Sequence, residues 1–493
     1  ATRKSVRDVA RQVLTPKARL ILRVVPELQG TDTAALETRP ATPPEAKFTP
    51  QMPQTFVLSN GIKVMHWQRS ELPLVHLSML LGGGAGLDSP DHAGCAHLAA
   101  QMLNEGAGER DALAFSDAMQ MLGASFDAHV AQENTSLGLS VLKRNLKEAM
   151  GLYADAVLRP RFDAKEFERV RALHVDGLKQ AEDEPAVVAS RVGLRAFFGD
   201  AHAYGRPVDG TVSSVQSLAL EDIRKAYARI AAPANAVFFV AGDLTAEETK
   251  SLLEEAFGQW KAPAGWAPIK LLSSPEVASQ SMRVVIVDKP DSVQTVIGFY
   301  MPGPTYRTPD RMGLQMVNRI LGGSFTSRLV QNLREKNGFT YGVRSRFVMG
   351  RSAGYFTAAT SVQAKVTGAA LKEFLAELKR IRSGDITDAE AFKTKQMQRA
   401  EVVESFQGLA GIVGTAQVLE SNGLPFSTLG DDLAGIQPIS TTRLNELAGA
   451  AIPLDRALLV LVGDKQVIEA QIKGLGLPTA MELTASGEAK ERR

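Results

Sequence analysis

The sequence is poor in the features that mark several common protein classes. Its 493 residues include a single cysteine, Cys95, which excludes an intramolecular disulfide framework and any cysteine-rich metal site. No stretch approaches the roughly 18 to 20 apolar residues of a membrane-spanning helix, and the first residues lack the apolar core of a signal peptide. Basic and acidic residues nearly cancel, 56 against 54. We therefore expect no membrane span and no nucleic-acid partner.

The composition that remains is typical of a soluble globular protein. Hydrophobic residues make up 44% of the chain and charged residues 22%, and the length is sufficient for at least two domains. The sequence begins at Ala1. A removed leader, a longer precursor and a trimmed chain are open alternatives for that start.

One sequence unit, an amphipathic helix followed by a short break and an apolar strand, occurs three times. The copies are residues 5–26, 219–243 and 440–464. The second and third copies each close a stretch that opens with strands, and Asn60-Gly61 turns the first hairpin. The predicted fold class is α+β, with two tandem homologous domains, each a mainly antiparallel sheet packed against helices.

The predicted domain boundaries follow this repeat. Residues 1–47 form an N-terminal helix-strand piece and linker, 48–265 the first domain, 275–480 the second domain and 481–493 a polar tail. The N-terminal piece has two open interpretations. It is either an extension that pads one domain, or the tail of a preceding similar domain whose body lies in another chain or was cut away. The second interpretation would bind this chain to a partner.

A histidine motif follows the first glycine-rich loop. Residues 94–106 read GCAHLAAQMLNEG and resemble the segment around the inverted zinc motif His-x-x-Glu-His of the pitrilysin-type, or inverzincin, zinc metallopeptidases. In that motif two histidines on one helical face bind Zn²⁺, and the glutamate takes a proton from zinc-bound water. Here only His97 matches, because Ala100 stands at the general-base position and Gln101 at the second histidine.

The third zinc ligand of active family members is a glutamate on a long helix further along the chain. The matched position in this sequence is about Gly177. A catalytic zinc site needs three protein ligands and an open position for water, and the resemblance leaves one. The seven histidines include no pair with the four-residue helical spacing. The sequence therefore predicts no metal in this chain, and a site rebuilt from other residues is the alternative.

A second motif lies in the predicted second domain. Residues 321–329 (LGGSFTSRL) and 332–343 (NLREKNGFTYGV) resemble the C-terminal domain of the same family, in which an arginine and a tyrosine complete the active site. Arg334 and Tyr341 have the required spacing of seven residues. Their guanidinium and phenol groups suit the negative charge that develops on a peptide carbonyl during hydrolysis. The structural alternative is that Arg334 ends a helix capped by Gly338 and Tyr341 packs as a strand aromatic.

Loss of the zinc motif with retention of the arginine and tyrosine resembles the non-catalytic subunit of bacterial two-subunit peptidases. The resemblance implies a heterodimer in which a zinc-bearing partner performs the hydrolysis, while this chain supplies Arg334 and Tyr341 and helps enclose a chamber for peptide substrates. It also implies that the lone chain is inactive, and it places the complex in the bacterial periplasm.

Three further possibilities stay open. One is a purely structural subunit, like the core proteins of the respiratory cytochrome complex that share this fold. Another is a peptidase with a rearranged metal site. The third concerns binding: an edge strand near residues 124–132 would pair with an extended peptide by strand addition.

Overall fold

The computed structural model describes residues 2–15, 17, 19–23, 48–270, 272 and 281–490. It divides into two compact units, residues 1–48 and 49–493, and each is described by itself. In the smaller unit, helix α1 (Arg3–Val13) starts at a capping box. The backbone N–H of Ser5 donates to Oγ1 of Thr2 at 3.1 Å, and that of Thr2 donates to Oγ of Ser5 at 2.9 Å, which satisfies two amide groups at the helix start.

The larger unit contains two six-stranded sheets. Their strands, in chain order, are β1 (Gln54–Val57), β2 (Lys63–Gln68), β3 (Leu74–Gly82), β4 (Ser125–Val130), β5 (Asn134–Leu142), β6 (Ala236–Gly242), β7 (Arg283–Asp288), β8 (Gln294–Gly303), β9 (Thr340–Met349), β10 (Gly354–Gln363), β11 (Leu458–Gly463) and β12 (Met481–Leu483). The strand order is β1-β2-β6-β3-β5-β4 in the first sheet and β12-β7-β11-β8-β10-β9 in the second.

The two sheets have the same core topology. Strand β6 pairs parallel to β2 and antiparallel to β3, and β11 pairs in the same way with β7 and β8. We call β6 and β11 the closing strands, because each comes last in its domain core and fills a central position. Most of the strand pairs are antiparallel. The predicted fold of two tandem α+β domains is confirmed.

Helices cover both sheets. The remaining α-helices are α2 (Cys95–Met102), α3 (Ala112–Met121), α4 (Leu146–Leu158), α5 (Ala164–Asp183), α6 (Pro185–Phe198), α7 (Val212–Ser217), α8 (Leu220–Ile230), α9 (Ala246–Phe257), α10 (Arg311–Leu321), α11 (Thr367–Arg382), α12 (Asp388–Ser405), α13 (Leu409–Ser421), α14 (Thr428–Ile436), α15 (Thr441–Ala451) and α16 (Lys465–Ile472). Helices α8 and α15 precede the closing strands, as the repeat predicts.

The two domains exchange one helix each. Helix α6 belongs to the first domain but packs on the second sheet, against β8 and β11, where Val188 and Val192 join a buried cluster with Val460. Helix α13 belongs to the second domain but packs on β3 and β6, where Nε2 of Gln417 donates to Oγ of Ser78 at 2.7 Å. Each sheet therefore has one face covered by its own helices and the other by a helix of its neighbour.

Two close contacts hold this exchange in place. A Cβ atom placed on Gly193 of α6 would lie 2.2 Å from the Tyr300 ring of β8, so the helix rests directly on that ring. The carboxylate of Glu133 also accepts hydrogen bonds from the backbone N–H groups of Arg351 and Ser352 at 2.7 and 2.9 Å. These hydrogen bonds join the β4–β5 turn of the first domain to the β9–β10 turn of the second.

The structure bears on three expectations from the sequence: the strand of the first repeat copy, the polar tail and the absence of a membrane span. The strand predicted for the first repeat copy falls partly on residues 19–23, which form neither helix nor strand, and partly on 24–26, which lie outside the described residues. The segment 481–493, predicted as a polar tail, contributes β12 to the second sheet. Within the described ranges, no single helix has the length and apolar character to cross a bilayer, whereas α12 and α13 meet that test only together, across a 109° bend.

Candidate functional site

Helix α2 carries the residues of the degenerate zinc motif, and its start is fixed by two features. Gly94 adopts a φ of +93° before the first turn, a conformation that favours glycine. The carboxylate of Asp88 then accepts a hydrogen bond from the backbone N–H of Ala96 at 3.2 Å. Burial raises the pKa of Asp88 to about 7, although hydrogen bonds from the helix start act in the opposite direction. The loop before α2 therefore fixes the start of this helix.

His97 meets a second histidine that the sequence did not place beside it. The rings of His97 and His174 lie 4.9 Å apart between centroids. Nε2 of His174 donates to the backbone oxygen of Asp209 at 2.7 Å. Nε2 of His97 is 3.0 Å from Nε2 of Gln101 and accepts from this amide. Burial first, and then the neighbouring His174, lower the pKa of His97.

Ala100, at the position of the general base, makes apolar contacts. Ala100 is buried in a small cluster with Ala85 and Val130, so a carboxylate introduced there would lose its hydration. Gly177, the position matched to the third ligand, is exposed on α5 and a Cβ atom there would meet nothing within 4 Å. The residue of α5 that faces His97 is His174, three positions earlier.

The catalytic zinc of the pitrilysin-type family does not fit this site. Of the motif ligands only His97 is present, and no group at Ala100 can accept a proton from a metal-bound water. Over the part of the chain that the structure describes, no cluster of three or more His, Cys, Asp or Glu side chains is placed to hold a metal ion. We derive no hydrolytic step from this half of the site.

The motif that contains Arg334 begins with a π-helix, Val330–Lys336. The backbone N–H of Asn337 donates to the oxygen of Asn332 at 3.1 Å, across five residues, and this wider turn is characteristic of functional sites. Gly338 follows with a φ of +62°, and its N–H donates to the oxygen of Arg334 at 3.0 Å. Gly338 thus ends the helix, as the structural alternative for this motif predicted.

Arg334 lies between two exposed aromatic rings. Its guanidinium carbon is 4.8 Å from the ring centroid of Phe325 and 5.2 Å from that of Tyr341, distances at which a cation is attracted to a π face. Glu335 adds an ion pair, with Arg334 Nε to Glu335 Oε1 at 3.4 Å. Tyr341 is 91% exposed. It opens β9 but does not pack into the core, so that part of the structural alternative is wrong.

Phe325, Arg334 and Tyr341 line an open cavity of about 800 Å³. It lies between β9, helix α10 and the α12–α14 segment, and includes Arg319, Gln398 and Glu401 as further polar lining. Among the strands of the described residues, β9 is the outer strand of its sheet and pairs with β10. Strand β4, within the segment 124–132 suggested for peptide pairing, is likewise the outer strand of the first sheet.

A half-buried ion network fixes the glycine-rich loop that carries Phe325. Nε and Nη2 of Arg328 donate to the two carboxylate oxygens of Glu390 at 2.7 and 2.8 Å, and Arg328 also pairs with Asp385. Burial acts to raise the pKa of Glu390, but the hydrogen bonds from Arg328 and Thr387 outweigh it and hold the pKa at about 2. The pair of Arg328 and Glu390 therefore anchors the glycine-rich loop to α12.

The sequence analysis did not identify His174 or Phe325 as candidate functional residues. His174 stands on the same helical face of α5 as the buried Val170 and Leu178, so its inward direction was readable from periodicity. Its distance from His97 was not, because that depends on how α5 packs on α2. Phe325 lay inside the quoted glycine-rich segment, but only its exposure beside Arg334 shows that it belongs to the site.

Comparison with known proteins settles the family. Residues 64–206 match the family model described as insulinase (peptidase family M16), and residues 217–398 match the model described as the peptidase M16 inactive domain. This chain belongs to the M16 peptidase family. The resemblance to pitrilysin-type peptidases is thereby confirmed, and Arg334 and Tyr341 lie within the part that matches the inactive domain.

Relatives of this M16 chain carry contrasting names. It is 27% identical over 438 residues to an uncharacterized zinc protease of Mycobacterium tuberculosis, covering 86% of this chain and 96% of that protein. It is 24% identical over 414 residues to a non-peptidase homolog of Helicobacter pylori, covering 82% and 92%. A crystal structure of the peptidase M16 inactive domain from Pseudomonas fluorescens superposes with a TM-score of 0.77, at 25% identity and with 84% and 98% coverage.

Proposed function

We propose that this M16 chain is a non-catalytic subunit that pairs with a zinc-bearing M16 subunit and supplies Arg334 and Tyr341 to a shared active site. One observation carries the proposal. The two side chains are presented together at a cavity of about 800 Å³, and Tyr341 is 91% exposed, while the chain's own zinc motif lacks the general base and the second histidine.

The chemistry divides between the two chains. The partner's zinc would supply the activated water and polarise the scissile carbonyl. The guanidinium of Arg334 and the phenol of Tyr341 would donate hydrogen bonds to the carbonyl oxygen as it gains negative charge. Phe325 and Glu335 both contact the guanidinium, which limits the reorganisation needed when the substrate arrives.

The substrate class is a peptide or an unfolded segment. A cavity enclosed between two subunits admits an extended chain and excludes a folded domain. Strand β4 is the outer strand of the first sheet, a position that suits main-chain pairing with such a peptide. The periplasm of a bacterium is the compartment we propose for the complex, by resemblance to two-subunit members of the family.

A peptidase with a rearranged metal site is the second candidate, and the contact between His97 and His174 favours it. Two imidazoles placed this close together are a partial ligand set. Metal analysis of the purified chain decides this candidate, since a stoichiometric bound metal, lost in His174→Ala, would support it over the subunit proposal.

The subunit proposal is tested by mixing this chain with a zinc-bearing M16 polypeptide. Peptidase activity is measured on the purified chain, on a candidate zinc-bearing M16 polypeptide from the same source, and on the mixture. We expect activity only in the mixture, reduced roughly 100-fold by Arg334→Ala because one oxyanion donor contributes about 3 kcal/mol. Arg159→Ala, which removes an exposed arginine of the first domain paired with Asp155, serves as the control. Unchanged turnover in Arg334→Ala would overturn the assignment.

A further inference from the structure

Helix α1 repeats the helices that precede the closing strands. It is 11 residues long, as are α8 and α15, and the three sequences align without gaps. Its apolar positions match as a set: Val6, Val9 and Val13 take the places of Ile223, Ala226 and Ile230 in α8. In α15 the first two of these places hold Leu444 and Leu447. The three helices therefore carry the same apolar face.

The three faces differ in what covers them. Ile223 and Leu444 are completely buried in the hydrophobic cores of their domains. Val6, at the same helix position, is 60% exposed, and Val9 and Val13 are exposed as well. The sequence thus encodes a packing face on α1 that nothing in residues 2–23 covers.

The segment after α1 repeats the closing strand. Pro16 aligns with Pro233, and Leu20, Ile21 and Leu22 then align with Val237, Phe238 and Phe239 of β6. Phe238 and Phe239 are fully buried in the middle of the first sheet, whereas Leu20, Ile21 and Leu22 are all exposed. A run of exposed β-branched and aliphatic residues of this kind is an unpaired strand sequence.

Neither sheet of the larger unit has room for this copy. The position between the two neighbouring strands is filled by β6 in the first sheet and by β11 in the second. The matching surface must therefore belong to a sheet of the same architecture that does not contain a closing strand of its own.

We infer that residues 3–23 are a donor helix and strand that completes another M16-type domain, one lacking its own closing helix and strand. The strand would insert parallel to one neighbour and antiparallel to the other, as β11 does between β7 and β8. Insertion of a missing strand into a sheet is an established mode of tight association, since it satisfies main-chain hydrogen bonds on both sides. The inference is independent of Arg334 and Tyr341.

Arg23 departs from the repeat, and this departure predicts a feature of the recipient domain. Arg23 aligns with Val240 and Leu461, which are both buried. In β6 the cross-strand neighbours of Val240 are His66 and Leu77. A recipient domain is therefore expected to place an acidic side chain opposite Arg23, because a buried cation needs a paired charge.

A membrane surface is the competing occupant, since residues 2–23 contain seven basic residues and one acidic residue and a basic amphipathic helix suits anionic lipid. The position-by-position match to α8 and α15 favours the protein. Lipid binding requires an apolar face but no particular proline, spacing or strand sequence after the helix.

Hydrogen exchange on the intact chain gives the first test. We expect the amides of α1 to exchange at least 100-fold faster than those of α8, because the donor face is uncovered. Equal protection of the two helices would overturn the inference. Vesicles of equal phosphatidylglycerol and phosphatidylcholine are added in a second measurement. Binding that is lost in the Val6→Asp, Val9→Asp variant would also overturn it, in favour of the membrane.

Grafting gives the direct test with a defined recipient, the second sheet of this chain. Residues 441–463 are replaced by residues 3–25 carrying Arg23→Val, or by residues 220–242 as a permissive control. We expect both grafts to unfold in one cooperative transition, and the first graft to lose it when Val6→Asp and Val9→Asp are added. A folded control graft with an unfolded 3–25 graft would show that residues 3–25 are not a closing unit.

Discussion

The guanidinium carbon of Arg334 lies 4.8 Å from the centre of the Phe325 ring and 5.2 Å from the centre of the Tyr341 ring. Phe325 comes from the glycine-rich loop and Arg334 from the π-helix, so the contact joins two separately encoded motifs. It makes Phe325 a positioning residue for the arginine, because a cation over a ring has a preferred direction as well as a preferred distance.

Phe325→Ala is expected to weaken the activity of the reconstituted complex about 2- to 5-fold, since an exposed cation–π contact contributes about 0.5 to 1 kcal/mol. Peptide hydrolysis by the mixed subunits is the measurement. Phe392→Ala is a matched control, because Phe392 is 66% exposed and Phe325 67%, but Phe392 lies on α12 away from Arg334. Equal losses in both variants would mean that Phe325 acts only through general surface effects.

Gln101→His is expected to create zinc binding in this chain. The new imidazole would stand four residues after His97 on one helical face, with His174 already 4.9 Å from His97 between ring centroids, which completes three nitrogen ligands. Isothermal titration with Zn²⁺ measures the gain. Adding His174→Ala should abolish it, whereas binding that survives this second change would show that His174 is not a ligand. No peptidase activity is expected, because Ala100 supplies no general base.

Gly193→Ala is expected to destabilise the protein by about 1 to 3 kcal/mol, the usual range for overpacking a core. The added methyl would lie 2.2 Å from the Tyr300 ring, and α6 would have to move off the second sheet. Urea unfolding measures the change. Gly151→Ala in α4 is the matched control, since a Cβ there meets nothing within 4 Å, and alanine in a helix interior should stabilise by up to about 1 kcal/mol. Similar effects of both changes would contradict the contact.

Stability should fall in acid through Glu390. Its pKa is held at about 2 in the folded protein, because the hydrogen bonds from Arg328 and Thr387 outweigh the opposing effect of burial, against an ordinary value of 4.5. A group whose folded pKa is lowered stabilises the protein above its unfolded pKa, and this contribution is lost as the pH falls from about 4.5 to about 2.

Glu390→Gln should therefore lower the free energy of unfolding at pH 7 and flatten its decline over that acid range. Chemical denaturation at a series of pH values measures both effects. Glu221→Gln, at an exposed helical pair with Lys225, is the control and should leave the slope unchanged. A slope in Glu390→Gln as steep as in the unchanged chain would assign the acid sensitivity to other carboxylates.

The local sequence determined much of this protein. Helical and strand periodicity predicted two tandem α+β domains, since those patterns report which face of each element is apolar. The loss of the zinc motif at Ala100 and Gln101 and the seven-residue spacing of Arg334 and Tyr341 were also readable, because each motif lies within one short segment. The same holds for the triplicated helix and strand.

Only the tertiary structure decided how these segments meet. The exchange of α6 and α13 between the two sheets, the pairing of His97 with His174 and the exposure of Tyr341 beside Phe325 depend on contacts between residues far apart in the chain. Periodicity shows that a face is buried or exposed in general, but it does not say against which element it packs. That choice is made by shape and close packing across the whole domain pair.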